Sequence, residues 1–266
     1  MTLPSPGADR AAVVTGASSG IGVEFARDLV ARGHQVVLVA RTESKLAELA
    51  EELGDQAHVL PADLSDRSAR AGLLDRITAL GLVPDILINN AGLSTLGPVH
   101  RSDPDAELRM VEVDVLAVVD LCSRFLPGMV ERGCGAVLNV ASTAAFQPLP
   151  GQAGYGAGKV FVLSYTQSLS AELKGTGVSA TVLCPGPVDT GFGAAAGFTK
   201  EQADEALPAF MWIPADRVAR TALDGLDSGK LVVIPGVGNK VGAAFSKLAP
   251  RRLLLPILAK QHPGLP

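Results

Sequence analysis

Tyr155 and Lys159 stand four residues apart at the start of a helix predicted over Gly156–Lys174, so their side chains share one helix face. A phenol with its ordinary pKa of about 10 is a slow base at neutral pH. A neighbouring ammonium stabilises the phenolate and lowers that pKa, which makes the tyrosine a usable general acid or base. The pair predicts proton transfer at a substrate oxygen, whereas the chain's other tyrosine, Tyr165, has no lysine four residues on.

Ser142 follows a predicted strand, Ala136–Val140. Its hydroxyl is therefore expected at the carboxyl edge of a sheet, where it can donate to a substrate oxygen. The alternative role of such a serine is a cap or a turn. The presence of Tyr155 thirteen residues further on favours the catalytic role.

A glycine-rich turn, TGASSGIG over residues 15–22, joins a predicted strand, Ala11–Thr15, to a predicted helix, Ile21–Arg32. Glycines there permit a tight turn and close approach of the backbone to a pyrophosphate, which the free N–H groups of the helix amino terminus bind. A plain structural turn is the alternative, because a glycine triplet alone is weak evidence. The residues expected to contact the cofactor are Gly16, Ser18, Ser19, Gly20, Ile21 and Gly22.

Arg41 follows the second predicted strand, Gln35–Ala40, and no acidic residue precedes Glu43. A carboxylate here would favour the ribose diol of NAD, whereas an arginine favours the 2′-phosphate of NADP. We therefore expect NADP(H) rather than NAD(H). A solvated arginine at a strand end is the alternative.

Short β-branched runs alternate with longer helical stretches along the whole chain, which predicts a doubly wound, mostly parallel sheet with helices on both faces. No linker interrupts this alternation, so one domain is expected over residues 1–266. It divides into a core over 11–234, a substrate excursion over about 187–214 and an appendage over 236–266. The remaining predicted elements are Glu43–Leu53, His58–Leu60, Ser65–Leu80, Asp85–Ile88, Asp105–Phe125, Ser179–Leu183, Ala215–Leu226 and Leu231–Ile234.

Five motifs occur together in order: TGASSGIG, Asn89-Asn90-Ala91-Gly92, Asn139-Val140-Ala141-Ser142, Tyr155-x-x-x-Lys159 and Pro185-Gly186. From Ala11 to Ile234 the chain thereby resembles the short-chain dehydrogenase/reductase family. The resemblance implies a single Rossmann-type, three-layer α/β/α domain with seven strands, a Ser142–Tyr155–Lys159 catalytic set and hydride transfer without a metal. We also expect a homodimer or homotetramer. The further cofactor contacts that it implies are Asp63, Leu64, Asn90, Ala91, Gly92, Tyr155, Lys159, Pro185, Gly186, Val188 and Thr190.

Two acidic residues, Asp63 and Asp114, each have more than one possible role. Asp63 is also a candidate cap for the helix predicted from Ser65. Asp114 stands where the family often has an asparagine that supports a water in the proton relay. An aspartate there either takes that role, raising the pKa of Lys159 and partly offsetting its effect on Tyr155, or merely caps or pairs.

The segments expected to shape the substrate pocket are rich in apolar side chains, which predicts a lipophilic ketone or secondary alcohol, such as a steroid-like or long-chain compound. Ordinary core packing is the alternative for many of them. These candidate residues are Leu93, Phe146, Leu149, Phe192, Phe210, Met211 and Trp212.

Charge is distributed unevenly along the chain. The formal net charge is −4, but residues 230–266 carry six basic and no acidic residues, and the remainder carries 17 basic and 27 acidic ones. A mildly acidic chain is a poor general binder of nucleic acid. For the basic tail we favour packing on the domain or at a subunit interface over a membrane-surface helix, because Pro250 and Pro256 should break it into short pieces.

Three dispersed cysteines, Cys122, Cys134 and Cys184, argue against a disulfide framework, and the amino terminus has no secretory pattern. We therefore expect a cytoplasmic protein.

The predicted function is an NADP(H)-dependent oxidoreductase that interconverts a carbonyl compound and an alcohol. The alternatives are a non-catalytic cofactor-binding regulatory or scaffold protein, and an epimerase or dehydratase that uses the same site.

Overall fold

The structure is a computed structural model that describes residues 3–197, 199, 209–261 and 265. Across these residues, seven parallel strands form one sheet in the order β3-β2-β1-β4-β5-β6-β7. The strands are almost entirely apolar because helices cover both of their faces, which confirms the predicted Rossmann-type fold. They are β1 (Arg10–Thr15), β2 (Gln35–Ala40), β3 (Ala57–Pro61), β4 (Val83–Asn89), β5 (Gly135–Val140), β6 (Val178–Leu183) and β7 (Val232–Val233).

The helices build one apolar cluster on each face of the sheet. α1, α2 and α9 cover one face, and α4, α6 and α7 cover the other. The described helices are α1 (Ile21–Ala31), α2 (Glu43–Leu53), α3 (Arg67–Ala71), α4 (Leu73–Ala79), α5 (Pro104–Val111), α6 (Ala117–Glu131), α7 (Ala153–Glu172), α8 (Phe192–Ala195), α9 (Ala215–Asp227), α10 (Val237–Leu248) and α11 (Arg251–Gln261).

Two predicted helices differ from the observed ones. The helix predicted over Ser65–Leu80 is two short helices that meet at Gly72, and it begins only after Asp66, whose carboxylate accepts a hydrogen bond from the Ser68 N–H at 2.8 Å. The helix predicted over Asp105–Phe125 runs on to Glu131. Its middle is a π-helical turn, Glu112–Leu116, that joins α5 to α6.

The basic tail folds as α10 and α11, which Pro250 separates. The expectation that Pro256 would also break the tail is wrong, since Pro256 lies inside α11. It is the sixth of the eleven residues of α11, and the helix continues past it with the loss of its N–H as a donor. No described helix combines the length and the apolar character needed to cross a membrane.

The carboxyl ends of the central strands gather the sequence motifs at one edge of the sheet. The glycine turn follows β1 and Asn90–Gly92 follows β4. Ser142 comes shortly after β5, and Pro185-Gly186 shortly after β6. Parallel strands bring these segments together, because all of their carboxyl ends meet at that edge.

Candidate active site and cofactor cradle

A buried ion pair joins α7 to the π-helical turn Glu112–Leu116, beside the carboxyl edge of the sheet. The Lys159 ammonium on α7 lies 3.0 Å from the Asp114 carboxylate in the π-helical turn, and both side chains are at least 95% buried. Lys159 also donates a hydrogen bond to the Val140 carbonyl at 3.2 Å, and Asp114 accepts one from the Leu93 N–H at 2.7 Å. The lysine is therefore held by groups from two other segments, and a third segment, through Leu93, holds its partner Asp114.

Two glycines allow these segments to approach. A Cβ atom at Gly92 would lie 3.3 Å from the Lys159 nitrogen and 3.4 Å from an Asp114 oxygen. A Cβ atom at Gly158 would lie 3.4 Å from the Val115 side chain. The backbone after β4 and the face of α7 thus close around the ion pair without side chains of their own in the way.

Tyr155 lies one turn before Lys159, with the lysine nitrogen 5.4 Å from the centre of its ring. The Ser142 hydroxyl lies close enough to the phenol to lower its pKa. The Ser142 oxygen also accepts a hydrogen bond from the Ala144 N–H at 3.1 Å, so the serine caps its own turn as well. The Phe192 ring lies 5.9 Å from the Tyr155 ring. The structure thus places Ser142, Tyr155 and Lys159 in one cluster.

The pKa of the Tyr155 phenol is raised above its ordinary value, chiefly because burial penalises the phenolate. The Lys159 ammonium lowers this pKa, as expected, and so does the Ser142 hydroxyl, but the charge of Asp114 raises it. A net lowering is therefore not what this protein shows. Burial alone would lower the pKa of Lys159, but Asp114 and Tyr155 together raise it, so the lysine carries its positive charge. Burial raises the pKa of Asp114, and Lys159 opposes that shift.

The glycine turn forms an anion cradle at the start of α1. Gly16 and Gly20 have φ angles of +68° and +58°, a conformation that favours glycine. A Cβ atom at Gly22 would lie 2.2 Å from the Gly16 carbonyl oxygen. Gly20 caps α1 without a side-chain hydrogen bond, so the N–H groups of the first turn stay available to an anion. The residues fit a pyrophosphate group.

Thr15 joins the glycine turn to the segment after β4. Its hydroxyl accepts hydrogen bonds from the Asn90 and Ala91 N–H groups at 2.9 and 3.0 Å, and donates one to the Ile88 carbonyl. The Asn90 amide donates to the Thr15 carbonyl at 2.9 Å. We did not predict this positioning role for Thr15, although the residue begins the glycine motif.

Two residues expected to contact the cofactor, Arg41 and Asp63, differ in exposure and partners. Arg41 is exposed directly before α2. Asp63 accepts hydrogen bonds from the Ser65 N–H and hydroxyl at 2.9 and 2.7 Å. Burial tends to raise the pKa of Asp63, but these bonds and the charges of Arg109 and Arg41 lower it overall. Asp63 therefore caps the Ser65 turn and not a helix, since α3 begins later.

The segment after β6 meets the glycine turn. A Cβ atom at Gly20 would lie 2.9 Å from the Thr190 Cβ. The Pro185 carbonyl accepts a hydrogen bond from the Thr143 N–H at 2.9 Å, next to Ser142. Thr190 itself donates to the Val188 carbonyl at 3.4 Å. The structure thus brings this segment against both the cradle and the Ser142 turn.

The candidate pocket residues divide into two groups. Two of them lie beside the cluster. The Phe192 ring contacts the Tyr155 ring, and the Leu93 backbone N–H donates a hydrogen bond to Asp114. Phe146 is buried in the core, and Leu149 lines an open cavity of about 490 Å³ between α7 and α11 that includes neither Ser142 nor Tyr155. Phe210 packs over Gly238 of α10. Residues 198 and 200–208 of the predicted excursion lie outside the described residues.

Potential metal ligands do not cluster among the described residues, where no group of three or more His, Cys, Asp or Glu side chains could hold an ion. His34 is buried, and the His58 ring is hydrogen-bonded to the Gln35 side chain. Burial lowers the pKa of both histidines. His262 lies outside the described residues.

A doubly wound sheet with an anion cradle after β1 defines a dinucleotide-binding α/β protein. Residues 10–201 match the short chain dehydrogenase family, so the chain belongs to this family of oxidoreductases. Two curated relatives support the assignment. A short chain dehydrogenase of Pseudocercospora fijiensis is 38% identical over 191 residues, which are 70% of this chain but only 62% of that protein. The NADP-dependent 3-hydroxy acid dehydrogenase YdfG of Escherichia coli is 36% identical over 177 residues, 66% of this chain and 71% of that one.

One solved structure agrees in fold over nearly the whole length. The short-chain dehydrogenase from Sphingobium yanoikuyae, in complex with NADPH, superposes with a TM-score of 0.79 at 31% identity. The match covers 93% of this chain and 95% of that one.

Proposed function

We propose that this protein interconverts a lipophilic ketone or aldehyde and the corresponding alcohol, with NADP(H) as the hydride carrier. The observation that supports this most directly is the cluster of Ser142, Tyr155 and Lys159 at the edge that also carries the anion cradle. Acid–base groups beside a dinucleotide site are what hydride transfer at a carbonyl requires.

Bound NADP(H) would supply or accept the hydride. Tyr155 donates the proton to the carbonyl oxygen during reduction and removes it from the alcohol during oxidation. Ser142 donates a hydrogen bond to the same oxygen and stabilises the charge that develops there. Lys159, held charged by Asp114, stabilises the phenolate that remains on Tyr155. Asp114 thereby controls how acidic the phenol is.

The substrate class rests on the side chains near Tyr155. The aromatic ring of Phe192 lies beside the phenol, and Leu93 binds Asp114 through its backbone N–H in the segment after β4. A carbonyl group that reaches Tyr155 would therefore have the Phe192 ring as a neighbour, which favours an apolar substituent. The Escherichia coli relative is named for a 3-hydroxy acid, so acids belong in the test as competitors.

The test is NADPH consumption with a panel of bulky ketones, short ketones and 3-oxo acids, and NADP⁺ reduction with the matching alcohols. We expect the highest kcat/KM for bulky apolar ketones. Preference for 3-oxo acids would contradict the lipophilic assignment. Tight NADPH binding without turnover would favour a regulatory or scaffold protein, and product isomerised or dehydrated without net NADPH consumption would favour an epimerase or dehydratase.

Cofactor preference is tested at Arg41, which is exposed before the amino terminus of α2. Its charge lowers the pKa of Asp63, so these two expected cofactor contacts lie near each other. We expect Arg41→Ala to raise the NADPH Kd about tenfold, because a charge-assisted hydrogen bond to a phosphate is lost. The NADH Kd should stay within about twofold. Isothermal titration calorimetry with both cofactors measures the change.

The matched control is Arg217→Ala, which removes an exposed arginine from α9. It should leave both dissociation constants unchanged. Equal losses of NADPH and NADH affinity in Arg41→Ala would show that Arg41 does not read the 2′-phosphate.

Asp114 is tested through the pH dependence of turnover. Its charge raises the pKa of the Tyr155 phenol. With Lys159 kept protonated by its remaining interaction with Tyr155, Asp114→Asn should lower that pKa by roughly one unit. Alcohol oxidation requires the phenolate and gains activity as pH rises through this pKa. Ketone reduction requires the phenol and loses activity over the same range. Both limbs should therefore move about one pH unit lower, with the activity at the optimum largely retained.

Asp120→Asn is the control, because Asp120 lies on α6 and pairs with Arg70 and Arg124 away from the site. Its pH–rate profile should match that of the unmodified enzyme. An unchanged profile in Asp114→Asn as well would remove Asp114 from the proton-transfer machinery.

A further inference from the structure

Asn239 ties the C-terminal appendage, here α10 and α11, to the end of the substrate excursion. The side chain is buried in α10, with 1% of the residue exposed. Its amide nitrogen donates hydrogen bonds to two carbonyls, that of Met211 and that of Pro235, each at 3.0 Å. Met211 ends the 3₁₀ turn Ala209–Met211, where the described part of the excursion returns to the sheet.

The same amide packs on the segment after β6. A Cβ atom at Gly186 would lie 2.3 Å from the Asn239 Oδ1 atom, so the amide rests directly on the Gly186 backbone. One residue on, the Pro187 carbonyl accepts a hydrogen bond from the Ile213 N–H at 3.2 Å. The departure and the return of the excursion are therefore joined to each other, and Asn239 covers the junction.

The far end of α10 holds the segment that follows Ser142. The Ser246 hydroxyl and the Gln147 side-chain oxygen are hydrogen-bonded at 2.7 Å. The Phe146 carbonyl accepts from Arg251 at 3.2 Å, and the Lys247 nitrogen lies 4.5 Å from the centre of the Phe146 ring. The appendage thus contacts the segments that follow both β5 and β6, and these two segments border the candidate active site.

We propose that the appendage acts as a clasp on the substrate site and that Asn239 is its positioning residue, which holds segment 209–213 in the conformation that binds the carbonyl substrate. This inference rests on the proposed oxidoreductase function. The basic tail would thereby serve the substrate site of the same chain. Its buried residues make the contacts, and its charged residues remain exposed.

The position requires a donor of two hydrogen bonds in a small space. Two carbonyl oxygens face the amide nitrogen, and Gly186 lies against the other side of the group. An aspartate has the same shape, but its carboxylate oxygen would face the Met211 and Pro235 carbonyl oxygens, and none of these three groups can donate a hydrogen bond. Leaving such buried acceptors without a donor destabilises the contact. Asn239→Asp therefore removes the clasp without creating a cavity.

The chain's single tryptophan, Trp212, directly follows Met211 and is half-buried. Its fluorescence reports on the segment that Asn239 holds. In the full-length Asn239→Asp protein we expect acrylamide to quench this fluorescence about twofold more strongly, and the KM for the best ketone to rise about tenfold. The NADPH Kd and kcat should change less than about threefold.

Two variants serve as controls. Leu126→Ala shortens a buried side chain of α6, outside the appendage, and lowers the melting temperature, but should leave quenching and ketone KM unchanged. Lys240→Ala removes an exposed charge next to Asn239 and should change neither property. If Asn239→Asp does not fold, Asn239→Ser, which keeps one donor, should shift both readouts in the same direction.

Unchanged quenching and unchanged ketone KM in Asn239→Asp, with only a lower melting temperature as in Leu126→Ala, would overturn the clasp. Should the unmodified protein reduce no carbonyl compound, the proposed function fails, yet the quenching comparison still decides whether Asn239 holds the Trp212 segment. The two failures are thereby distinguishable.

Discussion

Replacing Tyr155 with phenylalanine should lower kcat for ketone reduction by about 10³-fold, while the NADPH Kd changes less than about threefold. The variant removes only the phenolic oxygen, so the ring remains packed beside Phe192 and under Lys159. Without that oxygen, no group in the cluster is placed to transfer the proton, because Ser142 is a hydrogen-bond donor of much weaker acidity and the Lys159 ammonium is held by Asp114 and the Val140 carbonyl. Steady-state kinetics and cofactor titration measure the two quantities.

Tyr165→Phe is the matched control, since Tyr165 is the chain's other tyrosine and lies on the same helix, α7. Its ring stacks on Phe161 at 5.7 Å, and burial raises the pKa of its phenol. This variant should retain kcat within about twofold. Retention of full activity in Tyr155→Phe would reject the acid–base assignment, and a parallel loss in Tyr165→Phe would indicate a general effect on folding.

Gly22→Ala should abolish measurable NADPH binding, raising the Kd on the order of 100-fold or more. The added Cβ atom would lie 2.2 Å from the Gly16 carbonyl oxygen and 2.7 Å from the Asn90 amide nitrogen. The first of these is backbone, so the turn must open and α1 must shift. The N–H groups that form the anion cradle would then no longer converge on a pyrophosphate. The melting temperature should also fall.

Gly72→Ala separates a cradle effect from the general cost of an added methyl group. Gly72 has a helical conformation, and the nearest described atom to its new Cβ is the Ser68 carbonyl oxygen at 3.7 Å. NADPH binding should be unchanged in this variant. Normal NADPH affinity in Gly22→Ala would show that the turn does not bind the cofactor.

Local sequence was sufficient to predict the sheet and most of the motifs. The strands read as continuous apolar runs because both faces of a parallel sheet are buried. The glycine turn and the four-residue spacing of Tyr155 and Lys159 are properties of contiguous residues, so they could be recognised without a structure. Helix ends were less predictable, as at Gly72 and Pro256, because caps and neighbouring packing decide them.

Contacts between segments that are distant in the chain could not be predicted from local sequence. Phe146 reads as a pocket residue but is buried in the core. Asn239 carries no motif, and only the return of the excursion to α10 brings Met211 within hydrogen-bond distance of it. Both cases depend on which segments the fold places side by side.

The sequence by itself determined the α/β fold and the order of the strands' motifs, and it predicted the acid–base residues, because these depend on neighbours within one turn or one strand. The tertiary structure decided the acidity of Tyr155. Its pKa depends on burial and on Asp114, which stands 41 positions earlier in the chain and reaches Lys159 only through the packing of the π-helical turn against α7. Electrostatic interactions follow distance in space, and sequence separation carries little information about that distance.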